Sequence, residues 1–185
     1  MDNGASSYRR YLAGDDGAIA ELVAAYKDGL TLYLNHYVNN ILLAEELTED
    51  TFFRLITRKP WFSGLCSFKT WLYTIGRNVA LDHLRRSSRE NPIPLEEVAN
   101  LLAEETNLER SYLREEQKQM IHQAMGKLNP DYGRALHLVY FEGFTNREAA
   151  VILRKSERQI RNLLYRAKQA LKAELAKEGF VYENL

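Results

Sequence analysis

The side chains with the most distinctive binding chemistry lie in the last third of the sequence, on a basic segment that starts at Ser156. Arginine presents a planar fork of donors that suits a phosphate or a guanine edge, and asparagine can pair with adenine. At about 100° per residue, four side chains fall on one side of a helix: Arg158, Arg161, Asn162 and Tyr165. We therefore predict DNA contacts from Ser156, Glu157, Arg158, Arg161, Asn162 and Tyr165.

Two helix-start signals position this segment. Thr145-x-x-Glu148 and Ser156-x-x-Gln159 both match a reciprocal capping pattern, and their spacing leaves room for one short helix and a turn. An apolar stripe on the opposite side of the second helix must be buried; it consists of Ile160, Leu164, Ala167 and Leu171. The pattern predicts a helix-turn-helix whose second helix enters a major groove, with a merely solvated amphipathic helix as the alternative.

Composition is that of an ordinary globular chain: 185 residues, 45% hydrophobic and 27% charged. No apolar run approaches the ~20 residues that cross a bilayer, and the N-terminus lacks a secretion signal, so we expect a cytoplasmic protein. Cys66 is the single cysteine, which excludes an internal disulfide. The four histidines are scattered without metal-ligand spacing, so we predict no metal site. We also expect no cofactor and no small-molecule substrate.

The formal net charge is zero, but the charges are sorted along the chain. Residues 145–177 carry nine Lys or Arg against three Glu, and residues 68–89 carry five basic residues against Asp82 alone. Residues 90–116 carry eight Glu against two Arg. Two basic regions are thus separated by an acidic one.

Periodicity predicts an all-α protein with two small helical domains. Apolar residues from Ile19 to Ile41 indicate one long helix. Further helices are expected at 43–57, 68–86, 116–128 and 131–142, and the helix at 43–57 is expected to end before Pro60. We expect residues 1–88 to form an N-terminal domain, 89–114 a flexible acidic linker, and 115–185 a C-terminal domain with the helix-turn-helix.

These residues resemble the extracytoplasmic-function group of bacterial sigma factors, small two-domain members of the sigma-70 family. The pattern Phe68-x-x-Trp71-Leu72-x-x-Ile75-x-x-Asn78 with a downstream Asp82-x-x-Arg85-Arg86 is similar to the family's promoter-melting helix. Residues 44–53 look like its polymerase-binding helix, and residues 120–175 are similar to its minus-thirty-five domain.

The resemblance implies a promoter-specificity subunit without catalytic residues, which binds the RNA polymerase core and promoter DNA and has an anti-sigma factor as a partner. It assigns polymerase binding to Glu45, Glu46, Glu49, Asp50 and Phe53, since acidic charge suits a basic protein surface rather than DNA. It assigns minus-ten recognition and melting to Trp61, Phe62, Trp71, Tyr73, Arg77, Asn78, Arg85 and Arg86. Trp71 at the edge of the apolar stripe and Tyr73 outside it are expected to reach unpaired bases by stacking.

Two departures from the family pattern stand out. Arg154-Lys155 occupies the turn where relatives commonly carry glycine, so the turn is expected to cost up to ~1 kcal/mol or to rearrange. Leu163 stands where many relatives carry a basic residue, which removes one phosphate contact.

Two other functions stay open at this point. One is a free-standing regulator that binds a palindromic operator as a dimer without polymerase. The other is a helical metal-dependent nuclease using Glu45, Glu49 or Asp50, although no partnering His, Lys or glycine-rich loop accompanies them.

Overall fold

The computed structural model describes residues 4–90 and 116–177, and within them every regular element is helical. The N-terminal half consists of α1 (Ala5–Leu12), α2 (Gly17–Val38), α3 (Ile41–Arg58) and α4 (Phe68–Glu90). The C-terminal half consists of α5 (Glu116–Gly126), α6 (Pro130–Leu136), a π-helical turn (His137–Phe141), α7 (Asn146–Leu153) and α8 (Glu157–Lys177). The all-α prediction is confirmed, while the predicted linker at 89–114 lies almost entirely outside the described residues.

The first predicted helix was too long at its C-terminal end. Asn39 adopts a left-handed conformation that ends α2, and the Asn40 side chain accepts a hydrogen bond from the Leu43 N–H and so starts α3. Ile41 therefore opens α3 instead of continuing α2. Apolar periodicity alone hid this break, because Ile41 is buried and its position continues the apolar spacing of α2.

Helix α1 has no counterpart among the predicted elements, since eight residues are too few for a clear periodic pattern. Two buried tyrosines attach it to the rest of the N-terminal half. The Tyr8 hydroxyl donates to the Pro60 carbonyl at 2.7 Å, and the Tyr11 hydroxyl donates to the Ile56 carbonyl at 3.1 Å. The two bonds attach α1 to the last turn of α3 and to the segment that follows it.

The predicted helix at 131–142 is present, but its last part is wider than an α-helix. Asn129 caps α6 with Pro130 in its first turn, and the Glu142 N–H bonds to the His137 carbonyl at 3.0 Å. Gly143 then takes a φ of 70°, which ends the helix as predicted. The π-helical turn brings His137 and Glu142 to the side that faces α2.

The two halves pack directly against each other in one continuous apolar core. Helix α4 lies against α7, and α2 lies against α6 and the π-helical turn. The buried side chains come from both halves and include Leu30, Leu34, Leu72, Leu138 and Ile152. We call this the closed arrangement. In the described ranges, no helix has the length and apolarity that crossing a membrane requires.

Candidate nucleic-acid interface

The predicted reading helix α8 presents its polar side to solvent. Its apolar stripe is oriented as predicted, with Ile160, Leu164 and Ala167 buried against the rest of the C-terminal half. The six predicted DNA contacts all lie on the exposed side: Ser156, Glu157, Arg158, Arg161, Asn162 and Tyr165. Arg161 Nη1 pairs with Glu157 Oε1 at 2.9 Å, one turn away. This pair keeps the Arg161 guanidinium on the outer face.

Both predicted capping boxes are confirmed. The Thr145 hydroxyl accepts from the Glu148 N–H, and the Glu148 carboxylate accepts from the Thr145 N–H at 3.0 Å. At α8, the Gln159 side chain accepts from the Ser156 N–H at 2.7 Å, and the Ser156 hydroxyl accepts from the Gln159 N–H. These bonds satisfy helix N–H groups that otherwise lack partners, and they fix the residues at which α7 and α8 begin.

The turn between α7 and α8 uses a strained residue where glycine was absent. Arg154 adopts φ 53° and ψ 46°, the left-handed conformation that disfavours side chains with a Cβ. Lys155 Nζ pairs with Asp131 Oδ2 at 3.1 Å and ties the turn to α6. The turn is therefore kept rather than rearranged. Leu163 is half-buried and packs against the core, consistent with the missing basic residue.

Helix α4 buries the stripe that the sequence indicated, with Phe68, Leu72 and Val79 inside. Trp71 is half-buried in an aromatic group with Tyr8, Phe62 and Phe68, at ring centroid separations of 5.2 to 5.6 Å. Trp61 is 81% exposed in the preceding loop. Arg85 and Arg86 are exposed, whereas Arg77 and Asn78 are half-buried. Arg77 lies near Tyr33 and Tyr37. Except for Tyr73, the predicted minus-ten residues are thus at least partly accessible.

Tyr73 is the exception, and its expected position outside the buried stripe was wrong. Tyr73 is fully buried, because α7 and the residues just before α7 cover its side of α4. Its ring contacts Tyr33 and Phe144, and its hydroxyl donates to Glu142 Oε2 at 2.6 Å. A helical wheel for α4 alone could not show that the C-terminal half packs here. A role of Tyr73 in stacking on a base stays a prediction that requires the halves to separate.

Glu142 is the polar centre of this contact between the halves. Lys69 Nζ lies 2.8 Å from its Oε2 and also donates to its backbone carbonyl. Burial alone would raise the pKa of Glu142, but the hydrogen bond and charge of His137, then the hydrogen bonds of Lys69 and Tyr73, outweigh it and lower that pKa to about 2. Burial, followed by the charge of Glu142, raises the pKa of Tyr73 well above its usual range. The carboxylate is therefore charged and the phenol neutral at pH 7.

The acidic part of α3 forms a second exposed surface. Glu46, Glu49 and Asp50 are exposed, Glu45 is half-buried, and Phe53 is 61% exposed. The sequence reasoning missed two apolar members, Leu42 and Ile56, which recur at helical spacing with Glu46, Glu49 and Phe53 and are 50% and 40% exposed. Three large apolar side chains among carboxylates are typical of a protein-binding face. We call this surface the α3 face.

Two family models match the chain in the order that the residues suggested. Sigma-70 region 2 matches residues 22–90, and sigma-70 region 4 matches residues 118–171. The chain belongs to the sigma-70 family, in its extracytoplasmic-function group. It is thus a sigma factor, a component of transcription initiation.

Relatives of this sigma factor are similar over most of its length. The extracytoplasmic-function sigma factor BldN of Streptomyces coelicolor is 30% identical over 163 residues, which are 88% of this chain and 62% of that protein. The sigma-H factor of Pseudomonas aeruginosa is 27% identical over 170 residues, with 88% of each chain covered. This sigma factor therefore spans less than two thirds of BldN but most of sigma-H.

Solved structures share the fold of this sigma factor. CnrH in complex with the cytosolic domain of CnrY matches with a TM-score of 0.65 at 21% identity, covering 95% of this chain and 99% of CnrH. RpoE in complex with the anti-sigma factor NepR from Bartonella quintana matches with a TM-score of 0.64 at 20% identity, covering 85% and 96%. At this identity the likeness describes the fold.

One feature of this sigma factor escaped the sequence reasoning altogether. Three of the four scattered histidines, His36, His122 and His137, meet where α2, α5 and the π-helical turn pack together. One ring nitrogen from each lies within 4.8 Å of the others. Separations of 86 and 15 positions along the chain carry no recognisable ligand spacing, so only the packing of the halves could reveal the cluster.

Proposed function

We propose that this sigma factor directs core RNA polymerase to specific promoters and helps to separate their strands. The observation that carries the proposal is the exposed polar side of α8, the second helix of a helix-turn-helix in which both helices begin with a capping box. The proposed division is an N-terminal domain at 1–88, a linker at 89–114 and a C-terminal domain at 115–185. Nucleotide addition belongs to the polymerase, so the sigma factor needs no catalytic residue.

Recognition of the minus-thirty-five element falls to α8. Arg158, Arg161 and Asn162 carry side chains that suit guanine edges, phosphates and adenine, and they are exposed together. Ser156, Glu157 and Tyr165 lie beside them on the same side. This surface is small and the net charge is zero, so binding to DNA without polymerase is expected to be weak and sensitive to salt.

Strand opening falls to α4 and the loop before it. The exposed Trp61 and the half-buried Phe62 and Trp71 offer aromatic surface for an unpaired base, worth ~1 to 3 kcal/mol per stack. Arg85 and Arg86 offer positive charge to the backbone, and Arg77 and Asn78 lie along the same helix. Tyr73 joins this group only when the C-terminal half moves away from α4.

Polymerase binding falls to the α3 face. Its carboxylates favour a basic partner, and Leu42, Phe53 and Ile56 supply apolar surface that becomes buried on binding. The partner is the RNA polymerase core, which places the sigma factor in the cytoplasm. An anti-sigma factor is a further proposed partner, as NepR is for the Bartonella RpoE.

Run-off transcription with bacterial core polymerase tests the proposal. Arg158→Glu and the double variant Glu46→Lys with Asp50→Lys should each abolish promoter-dependent transcripts, because they reverse charge on the two proposed binding surfaces. Arg9→Glu on α1 and Asp16→Lys before α2 reverse exposed charges outside both surfaces and should leave transcription unchanged.

Three results would contradict the proposal. They are full transcription by the variants, tight binding to an operator by a dimer without core polymerase, and magnesium-dependent DNA cleavage. The last two are the results expected of the free-standing regulator and the nuclease.

A further inference from the structure

The three-histidine cluster contains ring nitrogens that are buried and have no hydrogen-bond partner. In the described residues these are Nε2 of His36, Nε2 of His122 and Nδ1 of His137. His122 and His137 are only 3% and 1% exposed, so water does not reach them freely. Buried polar atoms normally find partners, because leaving one unsatisfied costs ~1 to 3 kcal/mol. Three such atoms in one place are therefore available to one common partner.

We propose that His36, His122 and His137 bind one divalent transition-metal ion of the zinc type, held between the N-terminal and C-terminal halves. Imidazole nitrogen is a preferred ligand of Zn²⁺, and three histidines with one open position form a recurrent zinc site. Zn–N bonds of about 2.0 to 2.1 Å in tetrahedral geometry place ligand nitrogens roughly 3.4 Å apart. The present upper separation of 4.8 Å therefore closes with small ring movements.

The surroundings of His137 match those of a metal ligand. Its Nε2 lies 3.2 Å from the Gly29 carbonyl and 3.5 Å from Glu142 Oε1. An N–H on Nε2 that points to these oxygens leaves the lone pair on Nδ1, the atom without a partner. A carbonyl or carboxylate behind the second ring nitrogen is the arrangement that orients metal-bound histidines.

The other two rings are also held in place. A Cβ on Gly133 would lie 2.9 Å from His36 Nδ1, so this glycine lets α6 approach the His36 ring. The His122 ring packs edge-on against Phe141 with centroids 4.4 Å apart.

The position of the site gives the ion a mechanical consequence. His36 belongs to α2 of the N-terminal half, whereas His122 and His137 belong to the C-terminal half. All three ligands are available only in the closed arrangement, so the ion stabilises that arrangement relative to any separated one. In the same state Tyr73 of the proposed melting helix is buried, and Lys69 of that helix is paired with Glu142. The proposed metal site does not rest on the proposed transcription function.

Metal titration of the full chain, without affinity tags and freed of metal, tests the site. We expect one Co²⁺ per chain with the visible absorption of a tetrahedral site, displaced by Zn²⁺. His36→Gln and His122→Gln should each weaken binding by at least about 100-fold, and Glu142→Gln by about 10- to 100-fold. His83→Gln, which alters the one histidine outside the cluster, should bind as the unmodified chain does.

A measurement on the unmodified chain keeps the test decisive if a variant fails to fold. With nitrogen-15 in the histidine rings, Zn²⁺ should shift the ring signals of three histidines and leave those of His83 in place. Absence of a bound ion, signals that shift for His83 alone, or equal affinity in folded His36→Gln and His122→Gln chains would overturn the proposal. Since polymerase takes no part, these results are independent of the transcription assays.

Discussion

At the scale of single residues, the turn of the helix-turn-helix shows how a side chain is tolerated in an unfavourable conformation. Arg154 is exposed and left-handed, with ordinary helices on either side. Its backbone N–H still bonds to the Ala150 carbonyl, and Lys155 N–H bonds to the same carbonyl at 3.0 Å. These bonds and the capping box of α8 offset the strain. The position therefore costs stability without altering the geometry that α8 needs.

Replacing Arg154 with glycine should stabilise the protein. Glycine adopts the left-handed conformation without the Cβ penalty, so Arg154→Gly should raise the free energy of unfolding by up to about 1 kcal/mol. Urea unfolding followed by circular dichroism measures this. Arg154→Ala removes the same charge but keeps a Cβ, and it should not stabilise. Equal stabilisation by both variants would assign the effect to charge instead of the backbone.

At the scale of elements, the packing of α2, α5 and the π-helical turn buries ionisable groups that the unfolded chain leaves in water. His36 and His122 have lowered pKa values in the fold, whereas an unfolded histidine titrates near 6.5. As the pH falls below about 6.5, the unfolded chain binds protons that the folded chain refuses. The lowered pKa of Glu142 acts in the same direction at more acidic pH, since its stabilisation is lost as the pH falls towards 2.

Stability should therefore decrease in mild acid. Between pH 6.5 and 5.5 we expect the free energy of unfolding of metal-free protein to fall by on the order of 1 kcal/mol for each of the two histidines. Urea titrations across this range measure the slope. His122→Gln should reduce the slope, whereas His83→Gln serves as the control outside the cluster. A pH-independent stability of the unmodified chain would contradict the burial of neutral histidines.

At the scale of the whole molecule, the closed arrangement depends on close approach between α2 and the π-helical turn. A Cβ on Gly29 would clash with the Glu142 carboxylate and would lie 2.8 Å from the Tyr73 hydroxyl. Glycine at this position thus permits Glu142 to bond to Tyr73, Lys69 and the surroundings of His137 at once. In this arrangement the α3 face and the outer side of α8 stay exposed, while part of α4 is covered.

A methyl group at Gly29 should therefore loosen the contact between the halves. We expect Gly29→Ala to increase the radius of gyration in small-angle X-ray scattering and to speed amide exchange at α4 residues near Tyr73. Gly126→Ala adds the same methyl group to a helix where its Cβ has no neighbour within 4 Å, so it should change neither quantity. Identical behaviour of the two variants would show that Gly29 does not hold the halves together.

The sequence by itself determined the helical class, the helix-turn-helix with both capping boxes, the apolar stripe of α8 and the acidic and basic surfaces. These features depend on residues within a few turns of one another, where helical periodicity and capping act locally. It did not determine α1, the break at Asn39, the burial of Tyr73, the apolar part of the α3 face or the histidine cluster. Those depend on which faces of distant helices meet, and that choice follows from packing across the two halves. The residue pattern of one helix does not identify which other helix packs against it.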